Sequence, residues 1–170
     1  KLAHHEGTAW ALWNTQGDCL GTFADVVLAL GPATEALLKA SLADVALPLQ
    51  AVRGQVSWGL RRGANTCDWP DRPVNGHGSF LGNVPTAQGL AWYAGSSFDR
   101  QSDRPRVTPE DHADNQKRLA ELLPEVAKCL KPDWDGQGSL QGWSGVRCTV
   151  PDRLPLVGPL DPQRYPGLHL

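Results

Sequence analysis

No stretch of this chain approaches the ~18 consecutive apolar residues that a membrane-crossing helix needs, and its N-terminus has no signal-peptide pattern. The expected setting is therefore the cytoplasm, with no membrane partner. There is no C-x-x-C pair: Cys19, Cys67, Cys129 and Cys148 are far apart in sequence, which argues against a zinc site or a dense disulfide frame and for free, buried thiols. His4, His5, His77, His112 and His169 form no metal-spaced set, so no metal is expected and surface or capping roles are the default. Charge has no dominant sign either. Sixteen Lys and Arg stand against 18 Asp and Glu, for a formal charge of −2, so the overall balance does not announce a nucleic-acid binder. Local clusters do exist, at Arg61 with Arg62 and at Arg100, Arg104 and Arg106. Such clusters are usually solvated faces, and phosphate binding needs several cations on one surface. Repeats and low-complexity segments are missing as well.

What is present is an ordinary soluble composition, 41% apolar and 20% charged, in 170 residues, a length suited to one domain with a proper core. Thr8 to Asn14 reads as a strand, turning through Gln16-Gly17-Asp18 into a second strand from Cys19. Ala24 to Gly31 is a continuous apolar run, the pattern of a strand buried on both faces in a parallel sheet. No parallel neighbour for it is supplied upstream. Pro32 to Ala40 reads as a short helix with Thr34 as cap and Glu35 in its first turn, and Leu42 to Leu49 as a connector.

Gln50 to Trp58 alternates as a strand, and Gly54 inside it suggests a bulge or a close approach of another backbone or ligand. Leu60 to Asn75 reads as a long loop. Gly78–Val84 and Gly89–Gly95 make a second hairpin across Pro85–Gln88. Thr108-Pro109-Glu110-Asp111 is a strong helix start, with a capping hydroxyl, proline at the first helical position and acids in the first turn. That helix is expected to reach Leu122, with Asn115, Leu119 and Leu122 on one face. Pro124 ends or kinks it, Glu125 to Leu130 add a turn or two, and Lys131 to Gly138 form a loop. The last strand, Leu140 to Thr149, carries Arg147 at its end, before Pro151, Pro155 and Gly158 reverse the chain. The fold class is α+β: a mixed, mainly antiparallel sheet with helices on one face.

Four separated segments then resemble, in order, the D-amino-acid-oxidase superfamily of flavoproteins. Asp25 to Gly31 is similar to that family's strand ending in an alanine-x-glycine turn, and Val52-Arg53-Gly54-Gln55 to the strand opening its substrate domain. Tyr93 to Phe98 resembles the paired strand, and Gly145 to Gly158 the closing motif. The narrower resemblance, carried by Pro48 to Ser57 and by Arg147-Cys148 within the closing motif, is to the oxidoreductase half of bifunctional enzymes that modify the tRNA wobble uridine.

The resemblance implies FAD as cofactor and tRNA as substrate. The implied reaction is oxidative removal of the carboxymethyl group from 5-carboxymethylaminomethyl(-2-thio)uridine, followed in the full family protein by methylation in an S-adenosylmethionine-dependent half. It also implies a division into residues 1–33 and 151–170, strands of an FAD-binding domain, and residues 34–150, a substrate domain. Arg147 is the expected carboxylate-binding residue, because its planar fork makes two charge-assisted bonds to one carboxylate. Arg53 is a second candidate for flavin or substrate contact, or else a holder of loop carbonyls. Gln55, Ser96 and Ser97 are expected to line the pocket, and Gly31 and Gly158 to let backbone approach the cofactor. Asp152 is expected to order its turn through an Asx-type bond. No side chain is expected to act as a catalytic acid, base or nucleophile, because the cofactor carries the chemistry.

The chain lacks the family's G-x-G-x-x-G fingerprint, which cradles the FAD pyrophosphate, and stops before the family's C-terminal glycine-rich segment. It is therefore expected to be the middle piece of a longer protein, colourless and inactive alone. Two other readings remain open: an FAD-dependent oxidase of glycine or another small free amino acid, and a non-catalytic tRNA-docking module.

Overall fold

A computed structural model describes every residue except 5–8, 43, 44, 62–67, 101, 103 and 139. His5, Thr8, Arg62 and Cys67 therefore lie outside the described residues. The chain forms two compact units, Lys1–Ala51 with Arg147–Leu170, and Val52–Val146, where its length suggested one. Length does not count cores, and each unit buries its own. The division into units runs at 51/52 and 146/147.

In the first unit, β1 (Leu2–His4), β2 (Trp10–Trp13) and β3 (Cys19–Phe23) form an antiparallel sheet in that order. Its hairpin is closed by Asn14, whose Oδ1 accepts from the amides of Gln16 at 2.9 Å and Asp18 at 2.8 Å. Leu2, Trp10, Leu28, Leu38 and Leu168 make the core.

The apolar run after Ala24 gives only a two-residue strand, β4 (Val26–Val27). It does pair in parallel, with β10 (Leu168–His169), so the missing neighbour comes from downstream. Burial on both faces is not found among the described residues: Leu28 is buried, but Val27 is 66% and Leu30 51% exposed. Helix α1 spans Ala33–Ser41 with Pro32 at the N-cap position. Thr34 therefore lies past the cap; it is buried and makes no cap bond, while Glu35 pairs with Lys39 one turn on.

The second unit is built on the sheet β6–β7–β8–β5–β9, with β5 (Gln50–Leu60), β6 (Val74–Gly76), β7 (Gly78–Thr86), β8 (Gly89–Gly95) and β9 (Gln141–Thr149). The unit boundaries fall inside β5 and β9. The β6/β7, β7/β8 and β8/β5 pairs are antiparallel. β6 occupies the end of the stretch read as a loop, a strand too short to show alternation.

Helices α2 (Pro109–Leu122) and α3 (Pro124–Pro132) cover one face, where Phe80, Trp92 and Ala94 of the sheet meet Leu119, Val126 and Leu130 around Trp69. Thr108 caps α2, accepting from the Asp111 amide at 3.3 Å, as its sequence implied. The loop expected from Lys131 is instead helical to Pro132 and makes one wide turn at Asp133–Gln137, with Asp133 buried and Gly136 at φ +80° releasing the chain. The mixed, mainly antiparallel α+β class is the one found.

Cys19 and Cys148 are free, whereas Cys129 is disulfide-bonded. That corrects the reading of four free thiols: pairing follows which elements fold together, which wide spacing in sequence does not report.

Candidate functional site

Alternate residues of a strand share a face. On β5 the face turned to the helices carries Arg53, Gln55 and Ser57, each 4% exposed or less. A polar row at core positions stands only if every group finds a partner. The partners come mainly from Thr108, Asp111, His112 and Asn115, one stripe along the start of α2 at spacings of three, four and seven.

The Arg53 guanidinium is divided among three acceptors. Nη1 lies 2.7 Å from Asp111 Oδ2, and Nη2 donates to Gln55 Oε1 at 3.3 Å and to the Arg106 carbonyl. The Gln55 side-chain amide behaves like a strand partner to Thr108: Oε1 accepts from the Thr108 amide at 2.7 Å, and Nε2 donates to its carbonyl at 2.9 Å. Asn115 Nδ2 donates to the Gln55 carbonyl at 3.0 Å and to Ser57 Oγ at 3.1 Å, and Ser57 Oγ lies 2.8 Å from His112 Nδ1.

Electrostatics follows from this packing. Burial works to raise the Asp111 pKa, but hydrogen bonds from Ser97, Thr108 and Arg53, with the Arg53 charge, outweigh it and hold the carboxyl below its ordinary value. Burial pushes the His112 pKa down, and the neighbouring Asp111 charge only partly offsets it. A neutral His112 accepts from the Ser57 hydroxyl through Nδ1.

Ser97 joins from the other side of β5. Its Oγ accepts from the Gln55 amide at 3.0 Å and its amide donates to the Gln55 carbonyl at 3.1 Å. Between the Val56/Gly95 and Arg53/Asp99 pairs, the segment after Gly95 has one residue more than β5. The bulge signalled by Gly54 thus lies opposite it, at Ser96–Phe98, while Gly54 itself meets the Ser144 hydroxyl through its carbonyl.

Of the residues singled out from sequence, Arg53, Gln55 and Ser97 are brought together, with Ser96 beside them in the bulge. Arg53 is holding a loop carbonyl and a carboxylate. Asp111, His112 and Asn115 were not anticipated in this role. Their signal was readable, since polar residues at alternate positions of a strand and at helical spacing behind a cap imply two faces that need each other.

Arg147, Gly31 and Gly158 belong to the other unit. Arg147 is exposed near the C-terminal end of β9. Past it, Asp152 Oδ1 accepts from the Leu154 amide at 3.0 Å, the Asx-type turn expected of it. Gly158, at φ +142°, has open space where a side chain would stand, but its amide and carbonyl both bond Leu170. Gly31, at φ +57°, turns the chain into α1, and a Cβ there would sit 3.6 Å from the Cβ of Cys148. The amides of Ala33 and Thr34 bond back to Leu30 and Gly31.

The fit to FAD is consequently split. The two glycines and the exposed Val27, Leu30 and Val157 suit a flat apolar ring. The amides of Ala33, Thr34 and Gly158 are already engaged and do not suit a pyrophosphate. Elsewhere, a cleft of about 490 Å³ in the second unit is lined by Trp69, Leu123, Pro124 and Val126, with Asp68, Asp71 and Glu125, a carboxylate set that repels anions. His77 pairs with Glu121 at the surface. Among the described residues no group of three or more His, Cys, Asp or Glu could hold a metal, and no helix is long and apolar enough to cross a membrane.

Among curated proteins, the tRNA 5-methylaminomethyl-2-thiouridine biosynthesis bifunctional protein MnmC of Polaromonas naphthalenivorans is 43% identical over 155 residues, covering 90% of this chain and 24% of that protein. The protein of the same name from Delftia acidovorans is 44% identical over 167 residues, covering 94% and 26%. The chain thus spans about a quarter of the length of these relatives. Among solved structures, iminodiacetate oxidase from Chelativorans sp. BNC1 superposes with a TM-score of 0.71 at 17% identity, over 99% of this chain and 41% of that one. Glycine oxidase from Geobacillus kaustophilus gives 0.66 at 24% identity, over 96% and 39%. At those identities the likeness is one of fold. All of residues 1–170 match the family described as DAO, FAD dependent oxidoreductase, and the chain belongs to that family.

Proposed function

We propose that the whole protein to which these residues belong is an FAD-dependent oxidoreductase of tRNA, removing the carboxymethyl group from 5-carboxymethylaminomethyl(-2-thio)uridine at the wobble position. The observation that carries this reading is the identity of 43–44% over at least nine-tenths of the chain to proteins named for tRNA 5-methylaminomethyl-2-thiouridine biosynthesis. A cytoplasmic setting and an S-adenosylmethionine-dependent methyltransferase half elsewhere in the whole protein belong to the same reading. In this reading, residues 1–33 and 151–170 contribute to the FAD-binding part and residues 34–150 to the substrate part.

Arg147 receives the carboxylate of the N-CH2-COO⁻ arm through its two-pronged guanidinium, fixing angle as well as distance. Gly31 and Gly158 are the positions that admit close approach of the cofactor, while phosphate-binding donors come from residues outside 1–170. FAD, when bound, accepts the hydride that leaves the arm's methylene, and water then completes cleavage to glyoxylate and the aminomethyl nucleoside. Ser96 and Ser97 shape the bulge at the end of β8, and Arg53 and Gln55 hold the segment behind it.

The test is to supply the full-length protein with FAD and to offer it glycine, sarcosine and carboxymethylaminomethyl-modified tRNA. Glyoxylate released from the tRNA alone supports the reading. Release from the free amino acids but not from tRNA replaces it with an amino-acid oxidase.

A further inference from the structure

Between Val52 and Val146, the five strands of the second unit hold one charged residue, Arg53, in a chain that is 20% charged, and Arg53 faces the helices. The other face of the sheet is neutral and aromatic. Trp58 and Tyr93, opposite each other on β5 and β8, stack with ring centroids 5.9 Å apart and planes 18° from parallel. Leu81, opposite Tyr93 on β7, is 37% exposed. On β9, the other neighbour of β5, a Cβ at Gly142 would meet Val107 and His112 on the helix side, so Trp143 and Gly145 point the opposite way.

Trp143 is 63% exposed, yet it is not a loose side chain. Its six-membered ring lies over Gly145, where a Cβ would stand 2.5 Å from Cη2 and 3.1 Å from both Cζ2 and Cζ3. The missing side chain makes the seat for the ring. An indole backed by the strand and open to solvent gives up less freedom when something stacks on it. The strands bring no cation to this face, so it does not suit phosphate, but an aromatic platform suits the π-face of an unpaired base. The surface that suits the flat ring of the flavin, with Val27, Leu30 and Val157, belongs to the first unit. From this arrangement we propose that Trp143 is the stacking platform for the wobble uridine of the RNA substrate, with Gly145 as its positioning residue. The proposal rests on the tRNA reading above and names the residue that takes the base. Chemistry on a nucleotide base requires the base to leave its stack, and a seated indole replaces the stacking that is lost.

The experiment is equilibrium binding of a fluorescein-labelled anticodon stem-loop RNA to the full-length, FAD-loaded protein, beside a second probe that is abasic at the wobble position. Trp143→Ala is expected to bind the intact probe about 10-fold more weakly, with an unchanged slope of log K against log salt because no cation is removed. Trp143→Phe is expected to stay within about 3-fold of wild type, since a smaller ring keeps a π-face. The wild type should lose a similar factor to the Ala variant on the abasic probe, and Trp143→Ala should lose nothing further there. Gly145→Ala, which presses a methyl group against the ring, is expected to weaken binding of the intact probe several-fold and to add nothing to Trp143→Ala. Equal affinities of wild type and Trp143→Ala for the intact probe overturn the platform and leave the tRNA reading standing. An equal loss on both probes also overturns it, as the mark of a structural role, and so does loss of bound flavin absorbance, which places the ring against the cofactor. A wild type that oxidises free amino acids and binds neither probe overturns the tRNA reading as well.

Discussion

Arg53 and Arg147 are both arginines of strands in the long sheet, and both resemble family positions, yet their surroundings differ in kind. Arg53 is 4% exposed and bonds a carboxylate, a side-chain amide and a backbone carbonyl of its own unit. Arg147 is exposed near a strand end, two residues before β9 stops, ahead of a turn that Asp152 orders. A guanidinium has five donors. Where folding buries a guanidinium and spreads its donors over three acceptors, as at Arg53, the residue is architecture, whereas Arg147 lies at an exposed position.

The sharpest way to break this contrast is Arg53→Met. It leaves the Asp111 carboxylate, 14% exposed, without its cation and the Arg106 carbonyl without its donor. A loss of about 3–5 kcal/mol in unfolding free energy is expected, read by urea denaturation. A loss below ~1 kcal/mol would mean that Arg53 is not architectural.

Asn115→Leu comes next. It removes the donor to the Gln55 carbonyl and to Ser57 Oγ, and about 2 kcal/mol is expected by the same measurement.

The smallest effect is a pH dependence. Burial lowers the His112 pKa in the folded state, so the unfolded chain takes up the proton first as pH falls. The stability that His112 contributes is complete above the unfolded value of about 6.5 and is lost as pH falls toward its depressed folded value. His112→Asn keeps an acceptor for Ser57 without the titration. The melting temperature of the wild type should therefore fall between pH 7 and 5 relative to the variant, and parallel curves would remove His112 from the account. Asp111, also depressed, adds a second loss only below about pH 4.

Much of this was legible in the residues. Thr108-Pro109 fixed the start of α2 to the residue, because capping is a local interaction that sequence displays. Asp152 showed its turn for the same reason. The two-fold reading of Arg53, as ligand contact or as holder of loop carbonyls, stayed open because it depends on what lies across the sheet, and Asp111 is 58 positions away. Thr34 misled because Pro32 moved the helix start. The apolar run at Val26–Leu30 announced a parallel strand correctly, but its partner, Leu168–His169, sits at the far end of the chain. Length concealed two cores, since each is assembled from segments that are not adjacent in sequence. The proposed carboxylate-binding role of Arg147 is read only from resemblance, because an exposed strand-end arginine has no periodicity to mark it.

The measurement that bears most directly on the contrast is Arg147→Ala in the full-length, FAD-loaded protein, assayed for glyoxylate release from modified tRNA and for urea unfolding on the same sample. The account predicts a fall in kcat/KM of roughly 100-fold or more, about 3 kcal/mol of transition-state stabilisation, with an unfolding free energy within ~0.5 kcal/mol of wild type. Unchanged turnover would contradict it, as would a lost fold in place of lost activity.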